Sequence, residues 1–291
     1  MKKFFEFGIT HAGVFHADDV FATALLKLIN PSFQTKRVNR LEENIPDDVI
    51  IYDIGFGQFD HHQANKKLRE DDTPYASFGL LWDHYKEEIK EKIGLADKHI
   101  EIIDENLVRP IDLQDNGGNH NTLSDAIAEF NPVELNGITP TSEDFDEAFE
   151  DAVSFATRVL KNAIAKQRAS YEQELYLKKA IAKEEEQTNE GLTLFLEKFV
   201  SLQDEDIKRA LLESRFCFVL SSNPRGGYTL RQVCGKLKFP QEWCGAEKEK
   251  LPEGVSFCHP GNWMLVIDKN TKEEALEVAA KVEQFSMQEQ E

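Results

Sequence analysis

The chain has 291 residues, a length that accommodates about two domains at roughly 150 residues each. Hydrophobic residues make up 41% and charged residues 30%, with 16 Gly and 10 Pro, which excludes collagen-like repetition and wholesale disorder. The 53 acidic and 34 basic side chains leave a net charge of −19, whose repulsion disfavours wrapping a long duplex or lying on an anionic membrane, so a phosphate-bearing substrate needs a local cationic feature.

Glu6 and His11 interrupt the start of the chain where a secretory leader would need an apolar run. No stretch approaches the roughly 20 apolar residues of a membrane span, so the expectation is a cytoplasmic protein without membrane association. Phe4 to Thr10 reads as a short buried strand, Asp19 to Ile29 has helical spacing, and Asn30-Pro31 ends it. Val49 to Ile54 is a β-branched run of strand length closed by Gly55 and Gly57. Ser77 to Ile93 and Lys98 to Asp112 have helical periods, and Asn116 to Asn119 forms a loop. Strands separated by helices predict a mainly parallel sheet flanked by helices, with ligands at the carboxyl ends of the strands.

Residues 131–142 read as a loop, and Thr141-Ser-Glu-Asp as the start of a long, charge-rich helix to about Glu186. Beyond a composition shift near Asn189, three stretches read as strands: Phe216 to Ser221, Tyr228 to Val233 and Met264 to Asp268. Lys272 to Phe285 reads as a closing helix. The predicted domains are therefore a metal-binding domain at 1–143, a connecting helical region at 144–189 and a smaller C-terminal α/β domain at 190–291. Cys217, Cys234, Cys244 and Cys258 form no C-x-x-C pair and read as reduced thiols.

Four of the eight histidines, His11, His16, His61 and His62, fall in the first part of the chain with carboxylates beside them. The clusters are Thr10 to Asp19, Asp53 at a strand end, Phe59 to Gln63, and Ile111 to Gly117. Each lies where a strand hands over to a loop or helix, so all four can converge at one sheet edge. Mixed imidazole and carboxylate ligands suit Mn²⁺, Fe²⁺, Co²⁺ or Zn²⁺. Two ions about 3.5–4 Å apart can share a carboxylate and supply hydroxide at neutral pH. Asp19 is either a ligand or the cap of the helix beginning there, with the cap favoured. Asp112 reads as a helix-end residue or as one behind the ligands, Trp82 and Trp243 as packing residues, and His84, His99 and His120 receive no role.

In order, the blocks Thr10 to Asp19, Tyr52 to Gly55, Asp60 to Gln63, Ser77 to Leu81 and Ile111 to Gly117 resemble those of the melanocyte-proliferating-gene family. That family is similar in its motifs to the DHH phosphoesterases, which include exonucleases, oligoribonucleases and manganese pyrophosphatases. Leu230-Arg231-Gln232, Phe239-Pro240 with Trp243, and Phe257-Cys258-His259 extend the resemblance over nearly the whole chain.

The resemblance implies a DHH-like N-terminal sheet and two divalent ions, Mn²⁺ being the leading choice. The implied ligands are His11, His16, Asp18, Asp53, His61 and Asp115, with His16 and Asp18 of the first block and His11 upstream on the first ion, Asp53 bridging, and His61 and Asp115 on the second ion. His62 would face the scissile phosphate and Asp60 would orient an imidazole. Arg231, Lys236 and His259 would grip the substrate phosphates or terminus. His16 stands where many DHH members carry aspartate, and Lys236 where relatives often carry arginine. The implied activity is a 3′–5′ exonuclease on RNA or short oligonucleotides, with the site in a cleft between the domains. The alternatives are a phosphatase or pyrophosphatase for small substrates, and a metal-binding interaction protein without hydrolytic activity.

Overall fold

The computed structural model describes residues 4–186, 191–233 and 235–288. The chain divides into two compact units on either side of the Arg168–Ala169 bond.

The first unit opens on β1 (Phe7–His11), α1 (Ala17–Ile29), β2 (Gln34–Val38) and β3 (Val49–Ile51). These strands form a parallel sheet in the order β2-β1-β3, with Phe7 level with both Gln34 and Val49. The expected first strand is displaced to end at His11, and the second stops at Ile51, where Tyr52 pairs with Phe59 in an isolated bridge. β2 has no apolar alternation and is invisible to periodicity. It forms because its main chain is the parallel partner of β1.

Five helical segments follow: α2 (Ser77–Ile93), α3 (Asp97–Ile103), a π-helical stretch at Asp104–Val108, α4 (Arg109–Asp115) and α5 (Thr122–Ala128). The predicted helix at 98–112 is thus real but interrupted by a π turn. α2 ends on Gly94 in the left-handed region, a conformation glycine adopts without a Cβ penalty. α1 packs against α2, α4 and α5, and Val20, Phe21, Leu25, Phe78, Leu81 and Trp82 are almost wholly buried.

A 44-residue helix, α6 (Ser142–Glu185), starts from a reciprocal cap in which Thr141 and Asp144 exchange hydrogen bonds. The division between units falls inside this helix, within the connecting region expected at 144–189. Its first half buries Phe149, Val153 and Leu160, with Phe149 edge-on to Phe15, whereas Leu177 and Ile181 join a core with Leu194, Leu196 and Val219.

The second unit contains β4 (Thr193–Leu196), α7 (Glu205–Glu213), β5 (Phe218–Ser222), β6 (Tyr228–Gln232), β7 (Val255–Cys258), β8 (Met264–Ile267) and α8 (Lys272–Gln288). Its sheet runs β4-β5-β6-β8-β7; β4 and β5 are parallel and the remaining pairs antiparallel. One core under α8 gathers Phe218, Leu220, Leu230, Leu265, Ile267 and Val278. Trp82 and Trp243 are packing residues, as expected, at 1% and 5% exposure. Cys217, Cys244 and Cys258 are free thiols, and Cys234 lies outside the described residues. Among the described residues no helix is long and apolar enough to cross a membrane.

Candidate metal centre

All four predicted clusters converge at the carboxyl edge of the parallel sheet. His11 is the last residue of β1, and Asp53 follows β3 by two residues with φ at 55°, a left-handed conformation that aspartate tolerates better than most side chains. His16 precedes α1, and Asp18 and Asp19 occupy its first turn, both fully buried. Asp60, His61 and His62 follow the Tyr52–Phe59 bridge, Ser77 opens α2, and Asp115 closes α4.

Asp53 divides its two oxygens between two imidazoles. Its Oδ2 lies 3.2 Å from His11 Nε2, which is also 3.2 Å from Asp19 Oδ2. Its Oδ1 lies 3.3 Å from His61 Nε2, which is 3.0 Å from Asp115 Oδ2 and 3.6 Å from Asp18 Oδ2. His16 Nδ1 stands 3.8 Å from Asp115 Oδ1 and groups with Asp18 and Asp115, while its ring remains mostly exposed. The Oγ of Ser77 donates to Asp53 Oδ1 at 2.9 Å and its amide to Asp18 Oδ2 at 3.3 Å, so the start of α2 steadies both carboxylates.

The chemistry of this donor set fits divalent cations. Each Nε2 carries at most one proton, yet that of His11 faces two carboxylate oxygens and that of His61 faces three. Two ligands at right angles about 2.1 Å from a common ion lie about 3 Å apart, which matches this spacing. Asp18 Oδ1 is buried and receives no hydrogen bond. With neutral imidazoles, the four carboxylates Asp18, Asp19, Asp53 and Asp115 carry a charge of −4, the amount that two divalent ions neutralise. Without cations, burial and then the neighbouring charges of Asp53, Asp115 and Asp19 push the Asp18 pKa well above the carboxylate range. Burial opposes protonation of His11 and His61, but the carboxylates beside each prevail and raise both to about 10. Asp53 resists its own burial and is held low by His11 and His61.

Asp19 does two jobs where the sequence reading offered one or the other. Its Oδ1 accepts from the His16 amide at 3.0 Å as the cap of α1, and its Oδ2 faces His11. The doubled aspartate after His16 was the available signal.

His62 is half exposed beside this group, and its Nδ1 is 2.7 Å from Asp60 Oδ1. Asp60 is buried and accepts from the amides of Phe56 and His62, which with His62 hold its pKa down against the effect of burial. Asp60 therefore fixes which ring atom of His62 faces inward and leaves Nε2 as the outer atom.

Asp112 sits behind the ligands, fully buried, accepting from the Gly79 amide at 3.0 Å and from Arg69 at 2.7 Å. Gly79 is required for this approach, since a Cβ there would stand 1.8 Å from Asp112 Oδ2. Asp112 and Asp115 share one turn of α4, so this contact sets where Asp115 reaches. The Ser77-x-Gly79 spacing was visible in the sequence, but its partner 33 residues away was not.

Of the substrate candidates in the second unit, Arg231 is 8% exposed, donates to the Val200 carbonyl at 2.8 Å, and leaves Nε and Nη2 without protein partners. Lys236 gives its ammonium to the carbonyls of Leu211, Ser214 and Phe216, holding the end of α7. His259 is partly buried and its Nδ1 accepts from the Gly261 amide at 2.9 Å.

Residues 8–282 match the model of an MYG1-type family described as an uncharacterised protein family, UPF0160. The chain belongs to this family. It is similar to an MYG1 protein of Chlamydia muridarum, 28% identical over 94% of this chain and 96% of the relative. An MYG1 protein of Dictyostelium discoideum is 25% identical over 94% of each chain. A Bos taurus protein named MYG1 exonuclease is 26% identical over 43% of this chain and 41% of its own. No solved structure matches.

Proposed function

We propose that this family member is a metal-dependent phosphoesterase of DHH type, acting as a 3′–5′ exonuclease on RNA or short oligonucleotides. The observation that carries the reading is the split of Asp53, one carboxylate oxygen toward His11 and the other toward His61. The name of the bovine relative supports a nucleic-acid substrate.

His11, Asp19 and Asp53 would hold one ion, and Asp18, Asp53, His61 and Asp115 the second, with His16 at the margin of the second group. When bound, the pair, Mn²⁺ in this proposal, supplies Lewis acidity and a nucleophile at neutral pH. The protein's own part is positional and protonic. Asp53 keeps the two groups together, and Ser77 fixes Oδ1, the oxygen turned to His61. Asp60, held ionised, accepts a hydrogen bond from His62 Nδ1 and presents Nε2, which can take a proton from solvent and pass it to the departing oxygen as the phosphoester bond breaks. Arg231 and His259 are the proposed contacts for substrate phosphates or terminus. For Lys236 that role requires release of at least one of the carbonyls it now holds. The surrounding net charge of −19 restricts tight binding to short or single-stranded ends.

The test is hydrolysis of a 5′-labelled short RNA by the metal-stripped chain refilled with Mn²⁺, beside pyrophosphate and a mononucleotide. A stepwise ladder that disappears with His62→Ala supports the proposal. Turnover of the small substrates alone would replace it with a phosphatase, and bound metal without hydrolysis of any of the three would replace it with an interaction protein.

A further inference from the structure

The second unit carries a cavity of about 1240 Å³ lined by residues between Phe199 and Asn270, larger than the roughly 300–1,000 Å³ of ordinary small-ligand pockets. It lies against the face of β6, β8 and β7 opposite the α8 core. Thr229, Arg231, Met264 and Val266 line it, whereas Leu230, Leu265 and Ile267 belong to that core.

Two observations there call for a ligand. Arg231 is more than nine-tenths buried, yet two of its three guanidinium nitrogens have no protein partner, and burial lowers its pKa. An unmet buried donor of this kind is expensive in a folded protein unless an acceptor arrives. The ring of Phe199 lies over the guanidinium at 4.9 Å and is itself 68% exposed, an apolar surface presented to water directly above a cation.

Beside it runs a row of aromatic rings on the β7–β8 connection. Phe257 and His259 meet edge-on at 6.2 Å between centroids, and His259 and Trp263 lie tilted at 48° with centroids 4.7 Å apart. The two ends of the row, Phe257 and Trp263, are 42% and 49% exposed. The row is built stiffly. His259 accepts from the Gly261 amide, its own amide bonds the Met264 carbonyl, and the Asn262 side chain bridges both main-chain groups of Phe239. A Cβ on Gly261 would stand 3.1 Å from His259 Nδ1 and 3.2 Å from Trp263, so glycine is what lets the rings close up.

A preformed strip of flat apolar rings beside unsatisfied guanidinium donors matches a strand of alternating flat bases and anionic phosphates. Resting on the exonuclease reading above, we infer that Phe257, Trp263 and Phe199 form a base-stacking platform that seats at least two unpaired nucleotides of a single-stranded oligonucleotide, with a phosphate on Arg231. Such a platform accepts any base, because every base has a π face, and rejects a duplex, whose bases are already stacked. It also sets a minimum length, since a mononucleotide occupies one ring where a strand occupies several.

The experiment is a titration of the full chain with a single-stranded hexaribonucleotide carrying hydrolysis-resistant phosphorothioate links, the same sequence as a duplex, and a mononucleotide. The KM for the unmodified labelled strand is measured in parallel. Trp82 and Trp243 are buried, so quenching of tryptophan fluorescence reports on Trp263 in the parent chain, while the anisotropy of a fluorophore-labelled strand gives Kd for every variant. The single strand is expected to quench and to bind at least tenfold tighter than either other probe. Trp263→Ala and Phe257→Ala each raise Kd and KM roughly tenfold, and Trp263→Phe restores most of the loss. Unchanged Kd and KM in both alanine variants, with the ladder of products still formed, would overturn the platform and leave the exonuclease reading standing. Cleavage of pyrophosphate or mononucleotide without binding of the strand would overturn both.

Discussion

Replacing Gly79 by alanine sets two physical effects against each other. Gly79 lies in the first turn of α2, where the preference of a helix for alanine over glycine is at most the roughly 1 kcal/mol of an interior position. The structure predicts the opposite sign, because the new Cβ would lie 1.8 Å from Asp112 Oδ2 and 2.6 Å from its Cγ, where no flexible side-chain end can yield cheaply. Asp112 is fully buried, fixed by the Gly79 amide at 3.0 Å and Arg69 at 2.7 Å, so relief requires α4 to shift away from α2. Overpacking costs about 1–3 kcal/mol and weakening a charged hydrogen bond about 1.5–3, so the net loss after a propensity gain of at most about 1 kcal/mol is about 1.5–5 kcal/mol. The same shift draws Asp115 away from His61, now 3.0 Å from it, and lowers divalent-metal affinity by about tenfold or more. Urea unfolding in a Trp243→Phe, Trp263→Phe background leaves Trp82 on α2 as reporter, and calorimetric titration with Mn²⁺ gives the affinity. A variant as stable as its parent, with the same metal affinity, would refute the claim that Gly79 positions Asp115 through Asp112.

Asp53→Asn removes the carboxylate shared by the two groups, and calorimetry with Mn²⁺ should show at least about a hundredfold weaker binding with loss of the two-site stoichiometry; two unaltered sites would mean that Asp53 does not bridge. His11 and His61, raised to about 10 from 6.5, stabilise the metal-free fold fully below pH 6.5, and that contribution is lost as pH rises toward 10. The raised Asp18 carboxyl works in the same direction, since its ionisation inside the fold is disfavoured as pH rises. Metal-free chain should therefore lose stability between pH 6.5 and 10 while Mn²⁺-saturated chain does not, a comparison of melting temperatures that fails if the two profiles run parallel. Binding of Mn²⁺ at pH 7.5 in weak buffer should release at least two protons per chain, one from each raised imidazole with the raised Asp18 carboxyl adding to them, and a pH indicator showing none would contradict the ligand assignment. His62→Ala should lower kcat by about 10²–10⁴ without loss of bound metal, whereas loss of an ion measured by atomic absorption would make His62 a ligand.

The long periodic helices were legible because burial of one face imposes its spacing locally: α2 and α6 lie almost where the apolar pattern and the Thr141 cap place them. β1 and β3 were legible as apolar runs, though not to their ends. β2, β4 and β7 were not, since each is short and owes its conformation to a neighbour: Gln34–Val38 is a strand because β1 lies beside it; α5 and α7, though capped locally by Asn121 and Asp204, run for only seven and nine residues. The candidate ligands were legible because metal coordination would restrict residue type at fixed spacing, which is how His11, His16, Asp18, Asp53, His61 and Asp115 stood out among eight histidines and many carboxylates.

What the sequence determined alone was therefore the alternation of strands and helices in the first half, which residues are candidate donors, and membership of a family whose blocks recur in order. Tertiary structure decided how the donors are apportioned. It turned one oxygen of Asp53 to His11 and the other to His61, gave Asp19 both a cap and an imidazole, and set Ser77 and Gly79 against carboxylates from other elements. It also committed Lys236 to the end of α7 while leaving Arg231 with unmet donors. The physical reason is common to these cases: a side chain's type is written at its own position, but the identity and direction of its hydrogen-bond partner depend on residues tens of positions away, brought within about 3 Å only when the helices pack.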